Sequence, residues 1–149
     1  MSRKDRLLLT SHAAATWFMT GVIWFVQIVH YPLFKWIGSD AFSAYERDNI
    51  VRTAAVVVPV MLLEAFCAVM LLRRRSDSVD RGSAAVGAGL LAMIWASSLF
   101  LQFPMHTILT NGFDPAITVQ LTSTNWIRTL LWSARSLLAA RMISGRAHD

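Results

Sequence analysis

The sequence predicts an all-α fold: one domain, 1–149, built as a four-helix transmembrane bundle with both termini in the cytoplasm. Three observations predict it. Of the 149 residues, 55% are hydrophobic and 15% charged, where ordinary soluble domains carry roughly a quarter charged. Mean hydropathy is +0.47, and a soluble domain of this size has too little interior to hide so much apolar surface. The apolar residues fall into four long runs, with basic residues clustered between them.

The first run, about 7–34, is longer than the ~20 residues that span a bilayer. A short basic tail precedes it, as in a signal peptide, but the run is too long and no small-residue cleavage site follows, so it reads as the first membrane helix. The remaining runs are 53–72, 84–109 and 122–143. Strands are excluded because period-2 alternation is absent and a barrel needs more chain. Helices satisfy their own backbone groups in lipid. Between the first two runs, Trp36, Ile37, Phe42 and Tyr45 suggest a short helix lying on the interface. Asn111, Gly112, Phe113, Asp114 and Pro115 compose a turn.

Charge sets the orientation. Arg3, Lys4, Arg6, Arg73, Arg74, Arg75, Arg81, Arg141 and Arg146 fall on one side; Lys35, Arg47 and Arg52, offset by Asp40, Glu46, Asp48 and Asp114, fall on the other. The more basic side is expected in the cytoplasm. The net charge of +5 is therefore a topology signal and not a nucleic-acid footprint. The expected partners are membrane lipids, with anionic headgroups near Arg73, Arg74 and Arg75, and a lipophilic small molecule. A lone cysteine, Cys67, forms no internal disulfide and reads as a packing residue. His12 and His148 have no evident partner and are expected to be solvated.

Polar residues inside a span are costly and mark function by default. At three- and four-residue spacing the first run carries Trp24, Gln27, His30 and Tyr31; the third carries Ser98, Gln102 and His106; the fourth carries Asn125, Arg128, Trp132 and Arg135. Glu64 is the one ionisable residue of the second run, nine residues and about 13 Å from Arg73. The four stripes predict one polar interior in the outer half of the bundle, with Glu64 as its floor. Arg128, and as an alternative Arg135, is the expected partner of Glu64; pairing and function are both open for it.

Two chemistries suit this set. His30, His106 and Glu64 are candidate ligands for Fe, Cu or Zn, and two facing histidines are also candidate axial ligands of haem. Alternatively, His30, His106, Glu64 and Arg128 act as acid–base and charge-stabilising groups, with Gln27, Tyr31, Gln102, Asn125 and Trp126 contacting a flat lipophilic substrate such as a quinone. A third alternative is a non-catalytic binding, transport or assembly component whose polar core is structural.

The strings from Trp24 to Phe34, from Pro59 to Glu64, from Gln102 to His106 and from Asn125 to Thr129 resemble a family of small uncharacterised bacterial four-helix membrane proteins. More distantly, the chain is similar to the anthrone-oxygenase-like membrane family, whose first helix ends near a proline and whose last begins with an Asn and an Arg. The first resemblance implies the bacterial inner membrane and brings no established activity with it; relatives in it often carry a histidine near the place of Asn49, a candidate ligand this chain lacks. The second implies oxidation of a polycyclic phenol-like substrate.

Overall fold

The structure, a computed structural model, describes residues 3–73 and 80–144. Arg74, Arg75, Arg146 and His148 lie outside the described residues. The rest forms four helices and no strand: α1 (Arg3–Trp36), α2 (Ser39–Arg73), α3 (Arg81–Leu109) and α4 (Pro115–Ser144). The helices run alternately up and down. Leu9, Leu71, Ala84 and Met142 cluster at one end, so the described ends of the chain and the α2–α3 connection share it. Phe34, Phe42, Leu109 and Leu121 pack in the larger core that reaches the other end.

Three helices, α1, α2 and α3, are long and apolar enough to cross a membrane. α4 has 30 residues, about 45 Å at 1.5 Å per residue, so length does not set it apart. Its composition does. Asn125, Thr129 and Arg135 are buried against the other helices, while Ile127, Leu130 and Leu137 face outward. These buried polar residues lower its hydropathy without lying on its outer face.

Two boundaries differ from the sequence-based expectation. α2 starts at Ser39 and not near 53, and no separate interfacial helix exists among the described residues. Phe42, Glu46, Asn49 and Thr53 repeat at four, three and four residues, one helical face. Phe42 and Glu46 on that face are wholly buried, with Phe42 packed against Phe34 and Phe113. α4 starts at Pro115 and not near 122. Asp114 caps it, its Oδ1 accepting the Ala116 and Ile117 N–H groups at 2.8 and 3.1 Å, and Pro115 occupies the first turn where no N–H is needed. Before it, Gly112 takes φ +150°, which favours glycine, and closes the expected turn. α3 is capped by Asp80, which accepts from Gly82 and Ser83; the Ser83 bonds hold its carboxyl below the usual carboxylate range.

α1 and α4 are joined by polar contacts between apolar surfaces. The Trp17 indole N–H donates to the Ser136 carbonyl (3.2 Å), Thr20 to the Trp132 carbonyl (3.1 Å), and Trp24 to the Ser133 hydroxyl (3.0 Å). Such contacts fix helix pairs where lipid offers no hydrophobic drive.

Each odd-numbered helix carries one π turn, Val26–His30 in α1 and Ser98–Gln102 in α3. Both stand just before a proline. Pro32 and Pro104 have no N–H to give to Ile28 and Phe100. The residue before each proline instead bonds five residues back: Tyr31 N–H to the Val26 carbonyl, and Phe103 N–H to the Ser98 carbonyl. Gln27 and Gln102, one in each π turn, are turned into the interior, 3% and 1% exposed.

Candidate functional site

A cavity of about 290 Å³ lies among the four helices. Its body is apolar: Met19, Ile23, Val57, Met61, Trp95 and Trp132 line it. Its polar lining consists of His30, Tyr31, Asn49, Thr53, Ser98, Gln102, His106 and Arg128, drawn from all four helices. A few convergent polar groups in an apolar pocket is the usual make-up of a small-molecule site.

All of these polar groups but Gln102 join in one hydrogen-bonded chain. The wholly buried Glu46 carboxylate takes His106 Nδ1 on one oxygen and the Asn49 amide on the other at 3.1 Å. His106 Nε2 meets the Tyr31 hydroxyl at 2.9 Å. Arg128 donates to the Tyr31 oxygen at 3.1 Å, to Asn125 Oδ1 through Nε at 2.9 Å, and to Ser98 at 3.4 Å. Asn125 donates to Gln27 Oε1 at 2.8 Å, and Gln27 to the Thr122 carbonyl at 3.1 Å. On the other side of Glu46, the Asn49 carbonyl oxygen receives His30 Nε2 at 2.9 Å and Thr53 at 3.0 Å.

The Glu46 carboxylate accepts from His106 Nδ1. In the neutral imidazole with that proton, Nε2 is bare and accepts from the Tyr31 hydroxyl, whose oxygen faces the Arg128 guanidinium. A hydroxyl with a base on its proton and a cation at its oxygen is arranged to give up that proton, and the base is oriented in turn by a third group, the logic of nucleophile–base–acid triads.

The structure brings together His30, Tyr31, Gln27, Gln102, His106, Asn125 and Arg128 as the polar spacing predicts, with the first, second, fourth, fifth and seventh lining the cavity. Gln102 is held by the Ser97 hydroxyl at 3.0 Å and reaches Thr124 at 3.2 Å. Four expected positions differ, the first being Trp24, which is 41% exposed and lies on the outer surface. Glu64 is not the cavity floor: it is wholly buried beyond the lining, where it accepts from Thr16 (2.8 Å), the Trp132 indole (3.1 Å) and Arg135 (3.2 Å). Its ion-pair partner is Arg135 and not Arg128, because Arg128 is committed to Tyr31 and Asn125. Trp126 is 40% exposed and meets the Trp24 ring edge to face at 5.6 Å on the outer surface, away from the cavity lining. His12 is buried and not solvated. The polar interior is thus two networks, the cavity network and the Glu64–Arg135 network, with Trp132 lining the first and bonded to the second.

The donor set does not fit the metal reading. Among the described residues no three His, Cys, Asp or Glu side chains are placed to hold a metal ion. Glu64 is committed to Arg135, Trp132 and Thr16. Both His106 nitrogens are engaged, and His30 gives Nε2 to Asn49, so the pair does not offer free axial nitrogens to haem either.

Sequence reasoning misses Glu46, Asn49 and Thr53. Glu46 reads as one of the outer-loop charges, yet it anchors the network. The available signal is the one helical face that Phe42, Glu46, Asn49 and Thr53 share.

Compared with protein-family models, curated proteins and solved structures, the chain matches none.

Proposed function

We infer that this is an integral membrane protein of four passes, with both termini cytoplasmic, that binds a small lipophilic molecule bearing a hydroxyl or carbonyl oxygen and moves a proton to or from that oxygen. The observation that carries this reading is the Glu46–His106–Tyr31–Arg128 chain opening into an apolar cavity. The cavity volume lies at the low end of small-molecule sites, which suits a compact ring system. Tyr31 donates to or accepts from the ligand oxygen; His106 takes up or returns the tyrosyl proton; Glu46 supports the imidazolium; Arg128 balances negative charge on either oxygen. In an oxygenase-like reaction of the kind the distant resemblance implies, proton removal from a phenol-like substrate is the step these residues would supply.

The test uses 2-naphthol and the full chain in lipid nanodiscs. Wild-type protein is expected to bind the probe saturably and to raise the naphtholate absorption band. Met61→Trp, which fills the cavity body, should abolish binding. Tyr31→Phe should keep binding and lose the band. A wild-type protein that takes up no more naphthol than empty nanodiscs defeats the reading.

Four passes rest on the inward-turned polar residues of α4, and the orientation rests on Arg3, Lys4, Arg6, Arg73, Arg81 and Arg141 at one end of the bundle. On a Cys67→Ser background, an impermeant thiol reagent added outside intact cells should label Asp114→Cys and leave Ser83→Cys unlabelled. The reverse pattern would invert the topology.

A further inference from the structure

The cavity wall is uneven. On the α1 and α4 sides every lining residue is buried or half-buried, with Met19, Ile23, Tyr31 and Trp132 only 1–4% exposed. On the α2 and α3 sides the lining residues Val58, Leu99 and Phe103 are 42%, 54% and 61% exposed. The same stretches of α2 and α3 expose Val56, Leu62, Phe100 and Leu101, an apolar surface that suits acyl chains better than water. Both helices are also irregular there. Pro59, beside Val58, leaves the Ala55 carbonyl without its helical donor, and the π turn Ser98–Gln102 contains Leu99. Regular hydrogen bonding is thus interrupted on each side of the thin wall, where the helices yield most readily.

We propose that the cavity opens sideways into the bilayer between α2 and α3, through a portal edged by Val58, Leu99 and Phe103, and that its ligand is drawn from dissolved membrane lipid phase and not from water. This rests on the ligand reading above and narrows it. The substrate class is a molecule that partitions into hydrocarbon, enters ring first past Leu99 and turns its oxygen toward Tyr31. Charged or strongly hydrated molecules carrying the same oxygen are excluded by the route.

Two measurements in nanodiscs test the portal. The first needs no ligand. A nitroxide attached at Met61→Cys on a Cys67→Ser background reports collision with oxygen, which dissolves in lipid, and with a water-soluble nickel chelate. Frequent collision with oxygen and little with nickel supports a lipid-facing opening, and adding Leu99→Trp should lower the oxygen collision rate. Strong nickel collision means a water-facing opening, and little of either means a closed cavity; both overturn the portal. The second mixes naphthol-loaded lipid vesicles with protein nanodiscs. Leu99→Trp should slow both binding and release, by about 10-fold. Unchanged rates at wild-type affinity overturn the portal and leave the ligand reading standing. Absent naphthol binding with the expected collision pattern overturns the ligand reading and leaves the portal standing.

Discussion

Glu64→Gln is expected to lower the stability of the bundle by about 3–5 kcal/mol, the usual cost of removing one partner from a buried ion pair. Arg135 is 1% exposed and would lose its counter-charge with no water to replace it. The effect reaches all four helices. Thr16 of α1 and Trp132 and Arg135 of α4 converge on Glu64 of α2, and Arg135 also donates to the Gly87 carbonyl of α3. The double change Glu64→Gln with Arg135→Met should recover much of the loss, since an apolar replacement of a buried pair is often neutral. Glu64→Gln with Arg128→Met should recover none. Unfolding followed by circular dichroism in mixed micelles measures this. A Glu64→Gln midpoint equal to wild type, or equal recovery by both double variants, would refute the pairing.

Glu46→Gln is expected to slow proton exchange between bound 2-naphthol and the site by ~10²–10⁴-fold, the range that a positioned acid–base group contributes. The amide that replaces the carboxylate still occupies the space but offers His106 Nδ1 a weaker acceptor and no charge to match an imidazolium. Binding should change little, because Glu46 lies behind His106 and Asn49 and does not line the cavity. The split between exchange rate and affinity, read by relaxation of the naphtholate band after a pH jump, separates this role from a structural one. Equal loss of both would mean that Glu46 only holds the bundle together.

The four helices were legible because the apolar runs are long, and the inward set was legible wherever a polar residue interrupts such a run. Gln27, Gln102, His106, Asn125 and Arg128 stand out for that reason. Glu46 did not, because Asp40, Arg47, Asp48 and Arg52 surround it and the stretch reads as a solvated loop; only the four-three-four spacing of Phe42, Glu46, Asn49 and Thr53 separates the buried face from the exposed one. Arg52 and Asp48, by contrast, pair at 3.6 Å on the exposed face, as the charge pattern suggests. The partner of Glu64 was not legible either. Arg128 and Arg135 are seven residues apart and share a face, so spacing cannot choose between them. The choice is made by what each one meets: Tyr31, Asn125 and Ser98 for Arg128, Glu64 and the Gly87 carbonyl for Arg135. Trp24 shares the spacing of Gln27 but lies on the outer surface, held by Ser133 and Trp126.

The π turns make chain length part of the site. Each adds a residue to one turn of a helix that continues on both sides, so everything after it is carried around the axis relative to a regular helix. Deleting one residue from Val26–His30 would restore the ordinary turn and swing Tyr31 and Phe34 by about 100° relative to Trp17 and Met19. The phenol would then leave His106 and Arg128 for the outer surface, although every side chain of the network remained in the sequence. A comparable deletion in Ser98–Gln102 would carry His106 away from Glu46. Among chains of this architecture, conservation of the tyrosine, histidine, glutamate and arginine is therefore an insufficient sign of a shared site; the gap-free spacing from Met19 to Tyr31 and from Ile94 to His106 must be kept as well.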